Sequence, residues 1–378
     1  MRILQLTSHL NVGGVAGHVV TLSEGLRRRG HDVVVAAESG ALMQRLLADD
    51  IPHWAVPLKT SAEFSLPVLW AWHTLRRKLR VERDVGRPVE MIHAHTRVAQ
   101  VLAAALRLDS GIPYLTTWHG FFTPRLSRRW WPCMGARTIA ISEPVADHLR
   151  NDFHLPSERI RVVPHGVDVA RFPAEEADGV AELRRRLQLG PGPVVGTVSR
   201  LVRDKGVEQL LMGFQRVLAQ RPSTQLLIVG DGPDLARLRR RIEHLGLGSA
   251  VRLAGALPDT RAALAMMDVF VFVPATKEGF GLSLLEAMAG SRPIVAIQQG
   301  GGSSWVLEES QVGIQVPPED PAALADAIAR LLADAASAGQ LGRQAREIAA
   351  ARYPLERELE QIERVYAEVV AEGAARIR

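Results

Sequence analysis

The chain is predicted to be an α/β protein made of two successive, doubly wound, Rossmann-like units. Three observations carry this expectation. A length of 378 residues is long for one domain and natural for two. Short apolar runs alternate with helix-patterned segments through both halves, as in parallel sheets covered by helices. A Pro/Gly/Glu-rich stretch, Phe172 to Gly192, separates the two series and holds one charged helical segment.

The elements follow in order. Ile3–Thr7 is the first predicted strand, Ser8 to Gly14 a loop, and Gly17 to Arg29 a helix stopped by Gly30. His31–Ala36 completes a strand, Gly-rich loop, helix, strand unit, the start of a parallel βαβ series. Met91–Ala94, Tyr114–Thr117, Thr138–Ile141 and Arg161–Pro164 continue it. The second series opens at Val194–Val198 and proceeds through Leu226–Val229, Val251–Leu253, Val269–Val273 and Pro293–Ile297. The Ala-rich stretch 322–351 reads as surface helices, and an amphipathic helix runs from Leu355 to Val370. The expected domains are 1–170 and 193–354, joined by a linker at 171–192. Ligands of open α/β sheets bind beyond the carboxyl ends of the strands, so site residues are sought there, in a cleft between two facing domains.

Composition narrows the class. A content of 47% hydrophobic and 23% charged residues is that of an ordinary globular protein. The single cysteine, Cys133, excludes an internal disulfide and reads as a small buried hydrophobe. Residues 1–7 form a strand, too brief an apolar run for a signal peptide, and no run of 18 apolar residues occurs. A reduced, cytoplasmic setting is expected. The net charge of +5 is uneven: residues 1–170 hold 21 Lys/Arg against 15 Asp/Glu, the rest 25 against 26. A positive first half suits anionic partners, although the run Arg27-Arg28-Arg29 at a helix end reads as a solvated face.

The most informative stretch is Glu278-Gly279-Phe280-Gly281-Leu282-Ser283-Leu284-Leu285-Glu286. It follows an apolar strand and leads into a segment, Leu284 to Ala289, of helix-forming composition. Glycines allow close backbone approach, and a helix start offers N–H groups to anionic or hydroxyl-rich ligands. Were the eight-residue step mostly helical, it would rise roughly 12 Å, about the reach from a sugar across a diphosphate to a ribose. Carboxylates accept hydrogen bonds from paired hydroxyls, so Glu278 and Glu286 suit the two ends of a nucleotide sugar. Earlier, Ser199-Arg200-Leu201-Val202-Arg203-Asp204-Lys205-Gly206 places Arg200 and Lys205 after a strand. Fixed cations there would stabilise the charge that develops on a leaving diphosphate, without a metal.

The Glu278–Glu286 phrase, continued by Ala-Met-Ala-Gly-Ser-Arg-Pro, resembles the signature of the family 4 retaining glycosyltransferases, also called group 1 glycosyl transferases. The segment from Ser199 to Gly206 resembles the same family's G-R-L-x-x-x-K-G phrase, with Ser199 where glycine is usual. The resemblance implies the GT-B fold, a first domain for the acceptor and a second for a nucleotide-diphosphate sugar. It also implies that the last helix, within 355–378, packs back on the first domain. Transfer with retained anomeric configuration and without an essential metal is expected, in bacterial lipopolysaccharide, glycolipid or polysaccharide assembly. A UDP-sugar is favoured over a GDP- or ADP-sugar as donor, with no cofactor. The donor-binding set is Gly14, Arg200, Lys205, Phe280, Gly281, Leu282 and Glu286. His119, in Thr116-Thr117-Trp118-His119-Gly120, matches the family's loop histidine near the transferred sugar, and His119 with Glu278 forms the expected catalytic pair. Gly14 belongs to Asn11-Val12-Gly13-Gly14, which does not fit G-x-G-x-x-G. The carboxylates are binding groups here, not the pair of a retaining hydrolase.

Other segments carry less. His93 and His95 form H-x-H, but with no third ligand in view the metal reading is set aside. Ser142-Glu143-Pro144 and Pro164-His165-Gly166 resemble further family phrases, the latter with His165 for the usual Asn, and Asp168 suits a turn or cap. Trp305 stands where the family has glutamate. Two segments mix cations with tryptophan, Arg125 to Trp131 and Trp70 to Arg80, as suits an anionic membrane surface. No nucleic-acid fold signature accompanies the charge. Two rival readings share the cleft: a nucleotide-sugar epimerase, which needs no acceptor, and a catalytically silent nucleotide-sugar-binding protein.

Overall fold

The computed structural model describes residues 1–60, 62–172, 179–310 and 312–375; the side chains of Leu126, Arg129 and 373–375 are outside that description. The chain divides into two compact units, Met1–Pro164 with Leu355–Arg378, and His165–Pro354.

The first unit holds strands β1 (Arg2–His9), β2 (Asp32–Glu38), β3 (His53–Ala55), β4 (Met91–Ala94), β5 (Tyr114–Trp118), β6 (Thr138–Ala140) and β7 (Ile160–Val162). Its helices are α1 (Gly14–Arg28), α2 (Met43–Ala48), α3 (Leu66–Asp84), α4 (Arg97–Ser110), α5 (Leu126–Trp130) and α6 (Glu143–Phe153). The strands pair in parallel, in the order β3-β2-β1-β4-β5-β6-β7. The chain winds outward from β1 in one direction and resumes at β4 in the other, so the direction reverses between β1 and β4. Strand alternation sorts the core. Ile3, Val33, Met91 and Leu115 pack under α1, while Leu4, Leu6, Val34 and Ile92 pack under α3 and α4.

The second unit holds α7 (Val180–Arg186), β8 (Val194–Val198), α8 (Val207–Gln220), β9 (Gln225–Val229), α9 (Leu235–His244), β10 (Val251–Gly255), α10 (Arg261–Ala265) and β11 (Val269–Phe272). It continues with α11 (Leu282–Ala289), β12 (Ile294–Ile297), α12 (Gly302–Ser310), β13 (Ile314–Val316), α13 (Pro321–Ala333) and α14 (Ala335–Arg352). Its parallel sheet runs β10-β9-β8-β11-β12-β13, reversing between β8 and β11.

The last helix, α15 (Leu355–Ala375), belongs to the first unit. Leu359, Ile362, Val365, Tyr366 and Val369 join the core beside α1. A Cβ on Gly25 of α1 would meet the Leu359 side chain at 2.7 Å, which explains a glycine inside that helix. Arg161 donates to Glu368 at 2.7 Å, and Arg29 bonds Glu363 at 2.9 Å. The arginine run is therefore not wholly a solvated face: Arg29 is held by the last helix, and its carboxylate partners hold its pKa above the ordinary value.

Several sequence expectations need correction. Residues 165–170 belong to the second unit, and α7 of the expected linker packs on α10 within it. β3 and β13 were not anticipated, because three-residue strands are too short to show a period. Helix α1 begins at Gly14, three residues before the expected start, since glycines gave no helical signal there. Finally, α13 is not a surface helix: Leu324, Ile328 and Leu331 are buried in the core that also takes Leu210 and Phe214 of α8.

Candidate functional site

Each unit gathers polar residues where its sheet reverses direction, the point at which open α/β sheets leave a crevice for ligands. In the second unit this lies beyond β8 and β11. After β8 the chain passes Ser199, exposed Arg200 and buried Leu201, then a single 3₁₀ turn, Arg203–Lys205. Gly206 ends that turn at φ 63°, and any Cβ there would collide with the Val273 carbonyl. Only glycine allows so close a crossing. The Asp204 carbonyl accepts the Ala275 N–H at 2.9 Å, lacing this loop to the one after β11. The lacing brings together residues 73 apart in sequence: the Lys205 ammonium forms a salt bridge to Glu278 Oε2.

Glu278 lies before α11, not in it. Its carbonyl accepts the Gly302 N–H at 2.8 Å, and it bridges to Gly301 as a short parallel pair. The helical assumption behind the 12 Å reach therefore fails for the first half of the phrase. The helix opens at Leu282, earlier than the expected Leu284, capped by Gly281 at φ 94°. No side chain caps that N-terminus and no acidic residue sits in its first turn, so its N–H groups suit an anion. Glu286 projects from the same helix and accepts a hydrogen bond from Thr260 Oγ1 at 3.0 Å.

Phe280 departs from expectation. Its side chain is 2% exposed and packs against His165, Trp305 and Tyr353, with ring centroids 5.4, 6.5 and 5.6 Å away. The ring is core, so Phe280 can meet a ligand only through its backbone. Trp305, standing for the family's glutamate, lies half-buried on α12 against that ring. Asp168 accepts the Ala170 N–H at 3.2 Å, a capping role.

In the first unit the reversal lies beyond β1 and β4. Gly14 is exposed at the head of α1, whose first turn likewise lacks an acidic residue or side-chain cap. His119 follows β5, half-buried, with Nε2 3.2 Å from His95 Nδ1. His95 is part of a buried chain of hydrogen bonds that runs to α15. Its Nε2 lies 2.7 Å from Gln5 Oε1; Gln5 Nε2 donates to the Tyr366 hydroxyl at 3.1 Å; that hydroxyl lies 2.8 Å from His93 Nδ1, and His93 Nε2 2.7 Å from Thr117 Oγ1. The chain assigns its own protons. An amide oxygen can only accept, so His95 Nε2 carries hydrogen; an amide nitrogen can only donate, so the Tyr366 proton goes to His93. Burial, and secondarily the charge of His18, pushes the His93 imidazole well below its ordinary value, keeping it neutral. A neutral His95 would then turn a bare Nδ1 toward His119, an acceptor for the His119 Nε2–H.

The H-x-H pair thus splits. His93 serves the buried chain, while His95 meets two partners the sequence did not suggest. His18, on α1, lies with its ring centroid 5.2 Å from that of His119 and 5.8 Å from that of His95. Sequence reasoning also missed Gln5, Tyr366 and Thr260. A polar residue every second position at His93, His95, Thr117 and His119 was the legible sign of one polar face. Cys133 is buried, and burial pushes its thiol up to about 11.

Known families match both halves. Residues 12–171 match Glycosyltransferase Family 4 and residues 180–348 match Glycosyl transferases group 1. The glycogen synthase of Mycobacterium tuberculosis is 30% identical over 92% of this chain and 90% of its own length. The chain belongs to the group 1, family 4 glycosyltransferases. A GDP-mannose-dependent alpha-(1-6)-phosphatidylinositol monomannoside mannosyltransferase of Mycolicibacterium smegmatis is 37% identical over 195 residues, half of each chain. The chain thus spans about half the length of that relative. Among solved structures, Anabaena Alr3699/HepE in complex with UDP-glucose superimposes with a TM-score of 0.82 at 22% identity, covering 97% of this chain and 100% of that one. At that identity the likeness shows the fold, which is GT-B. In this glycosyltransferase the expected donor residues Arg200, Lys205, Phe280, Gly281, Leu282 and Glu286 and the expected catalytic Glu278 fall in the second unit, and the expected donor residue Gly14 and catalytic His119 in the first.

Proposed function

We propose that this glycosyltransferase moves a sugar from a nucleotide-diphosphate donor to an acceptor with retention of anomeric configuration and without an essential metal. The observation that carries the reading is the Lys205–Glu278 pair, set beside the uncapped start of α11 where the second sheet reverses. A cation, free helix N–H groups and two carboxylates in one loop cluster match the parts of a nucleotide sugar. Arg200, Lys205 and the first N–H groups of α11 take the diphosphate. Glu286, held by Thr260, takes the ribose hydroxyls, and Glu278 the transferred sugar. In the free protein Glu278 neutralises Lys205; a bound diphosphate would compete for that ammonium and release the carboxylate toward sugar hydroxyls. From the first unit, Gly14 and the N-terminus of α1 are assigned to the donor phosphates, and His119 to the transferred sugar. With its Nε2–H directed at His95, a neutral His119 has Nδ1 left to accept from a sugar hydroxyl.

A UDP-sugar is the favoured donor, in keeping with the HepE complex; the mannosyltransferase relative, named for GDP-mannose, makes GDP the competing base. The acceptor is assigned to bacterial lipopolysaccharide, glycolipid or polysaccharide assembly on the cytoplasmic membrane face. No helix among the described residues is long and apolar enough to cross a membrane, so docking would be peripheral. Exposed apolar side chains support it: Trp130 is 86% and Leu66 81% exposed, with Phe64 and Trp131 also exposed. Arg97 draws these segments together, donating to Glu63 at 2.9 Å and to the Trp131 carbonyl at 2.8 Å. Of the two α3 tryptophans only Trp70 is exposed; Trp72 packs on the core under Arg76.

Incubation with UDP-, GDP- and ADP-sugars tests the reading. Slow donor hydrolysis, accelerated by acceptor and giving a retained anomer, is expected. Interconversion of sugars would show an epimerase, and binding without turnover a silent module.

A further inference from the structure

We propose that His18, His95 and His119 form a binding site for a divalent transition-metal ion of the imidazole-preferring class, such as Zn²⁺. One nitrogen from each histidine lies within 4.8 Å of the other two, a grouping found among the described residues. One pair, His95 Nδ1 and His119 Nε2, is 3.2 Å apart. Two nitrogens bound at about 2.0–2.1 Å to a tetrahedral ion stand about 3.3–3.4 Å apart, so this pair already has nearly the spacing of two ligands and the rings need only turn toward a shared point. The other nitrogen–nitrogen distances are at most 4.8 Å.

The surroundings of the three rings make this more than proximity. Metal-bound histidines turn their second nitrogen to a carboxylate or carbonyl that fixes the ring and raises its basicity. His95 has that partner in Gln5 Oε1 at 2.7 Å. His18 has it in Glu358, whose Oε1 lies 3.5 Å from His18 Nδ1 and which is itself buried. With Nδ1 turned to Glu358, His18 has Nε2 as its remaining ligand atom. His18 and His95 are 6% and 3% exposed, whereas His119 is half-buried at the strand end, so an ion could enter on its side and keep a fourth position for water. Neutral imidazoles without thiolates or several carboxylates select Zn²⁺, Cu²⁺ or Ni²⁺ over Mg²⁺ or Ca²⁺.

One consequence rests on the proposed function. If His119 serves the transferred sugar, an ion that takes its nitrogen removes it from that role. The metal would then act as a reversible inhibitor, and a chelator would spare or raise activity.

Cobalt(II) titration of the full chain, stripped with EDTA and freed of the chelator, tests the site. One equivalent is expected to give the visible absorption of low-coordinate cobalt, lost on adding Zn²⁺. His119→Ala, at a half-buried position, should abolish it. Glu358→Gln should weaken binding roughly 10–100-fold. Zn²⁺ should raise the melting temperature of the parent protein and leave that of His119→Ala unchanged, which controls for misfolding. No cobalt absorption in the parent, or the same titration in His119→Ala, overturns the proposal. Hydrolysis of UDP-glucose, followed in parallel, separates the two readings. Full turnover at full occupancy would remove His119 from the sugar while leaving the metal site standing. No turnover by metal-free protein would count against the donor assignment alone.

Discussion

Replacing Tyr366 by phenylalanine takes one oxygen atom out of the first unit's interior. The ring is 0% exposed and its packing is kept, so no side-chain-sized cavity is made. What is lost is the hydroxyl that accepts from Gln5 at 3.1 Å and donates to His93 at 2.8 Å. Both partners are buried, and each then lacks a bond that water cannot replace. A buried polar group left unsatisfied costs about 1–3 kcal/mol, so with some relaxation the variant should lose about 2–4 kcal/mol. For a unit of this size that is about 4–16 °C in melting temperature. Urea unfolding followed by tryptophan fluorescence in a Trp305→Phe background reports on this unit, which holds the other six of the seven tryptophans. The midpoint should fall with an unchanged m value. Because the same hydroxyl sets the His93–Gln5–His95 proton pattern, kcat should fall more than KM changes. A stability loss below about 0.5 kcal/mol would refute the claim that this hydroxyl satisfies two buried groups.

Four further outcomes are expected. Lys205→Ala and Glu286→Ala should each weaken donor binding by about 1.5–3 kcal/mol in calorimetric titration, the worth of a charge-assisted hydrogen bond; unchanged affinity in both folded variants would remove the donor assignment. His93 is held neutral in the fold, below its ordinary value of 6.5. The unfolded chain therefore takes up a proton that the fold refuses. Stability from this group is complete above about pH 6.5 and declines below it, toward the folded value, by up to about 1.4 kcal/mol per pH unit. His93→Gln should flatten that slope in melting curves taken on either side of pH 6, and an identical slope would assign it elsewhere. Donor turnover should persist in EDTA, and a strict, reversible need for Mg²⁺ or Mn²⁺ would oppose the cation-based mechanism. Binding to anionic vesicles should exceed binding to neutral ones and fall with salt, and Arg125→Gln with Arg128→Gln should lower it by about 2 kcal/mol; equal binding to both vesicles would favour a soluble acceptor.

Most of the architecture was legible without coordinates. Alternating apolar runs declared the parallel strands because a strand buried on both faces must be apolar throughout. Glycine after strand β8 marked a tight crossing, since only glycine lets the chain pass so close to the Val273 carbonyl. These are local signals, carried by neighbours in sequence. The Lys205–Glu278 pair, the descent of Phe280 into the core and the start of α11 at Leu282 needed the fold. So did the buried chain from Thr117 through His93, Tyr366 and Gln5 to His95, whose Gln5–Tyr366 link joins residues 361 positions apart. His18 met His95 and His119 only when α1 was laid across the sheet. Sequence patterning shows which side chains face inward. Which inward-facing polar groups satisfy one another depends on strand order and helix placement, and those are settled by the packing of the whole unit.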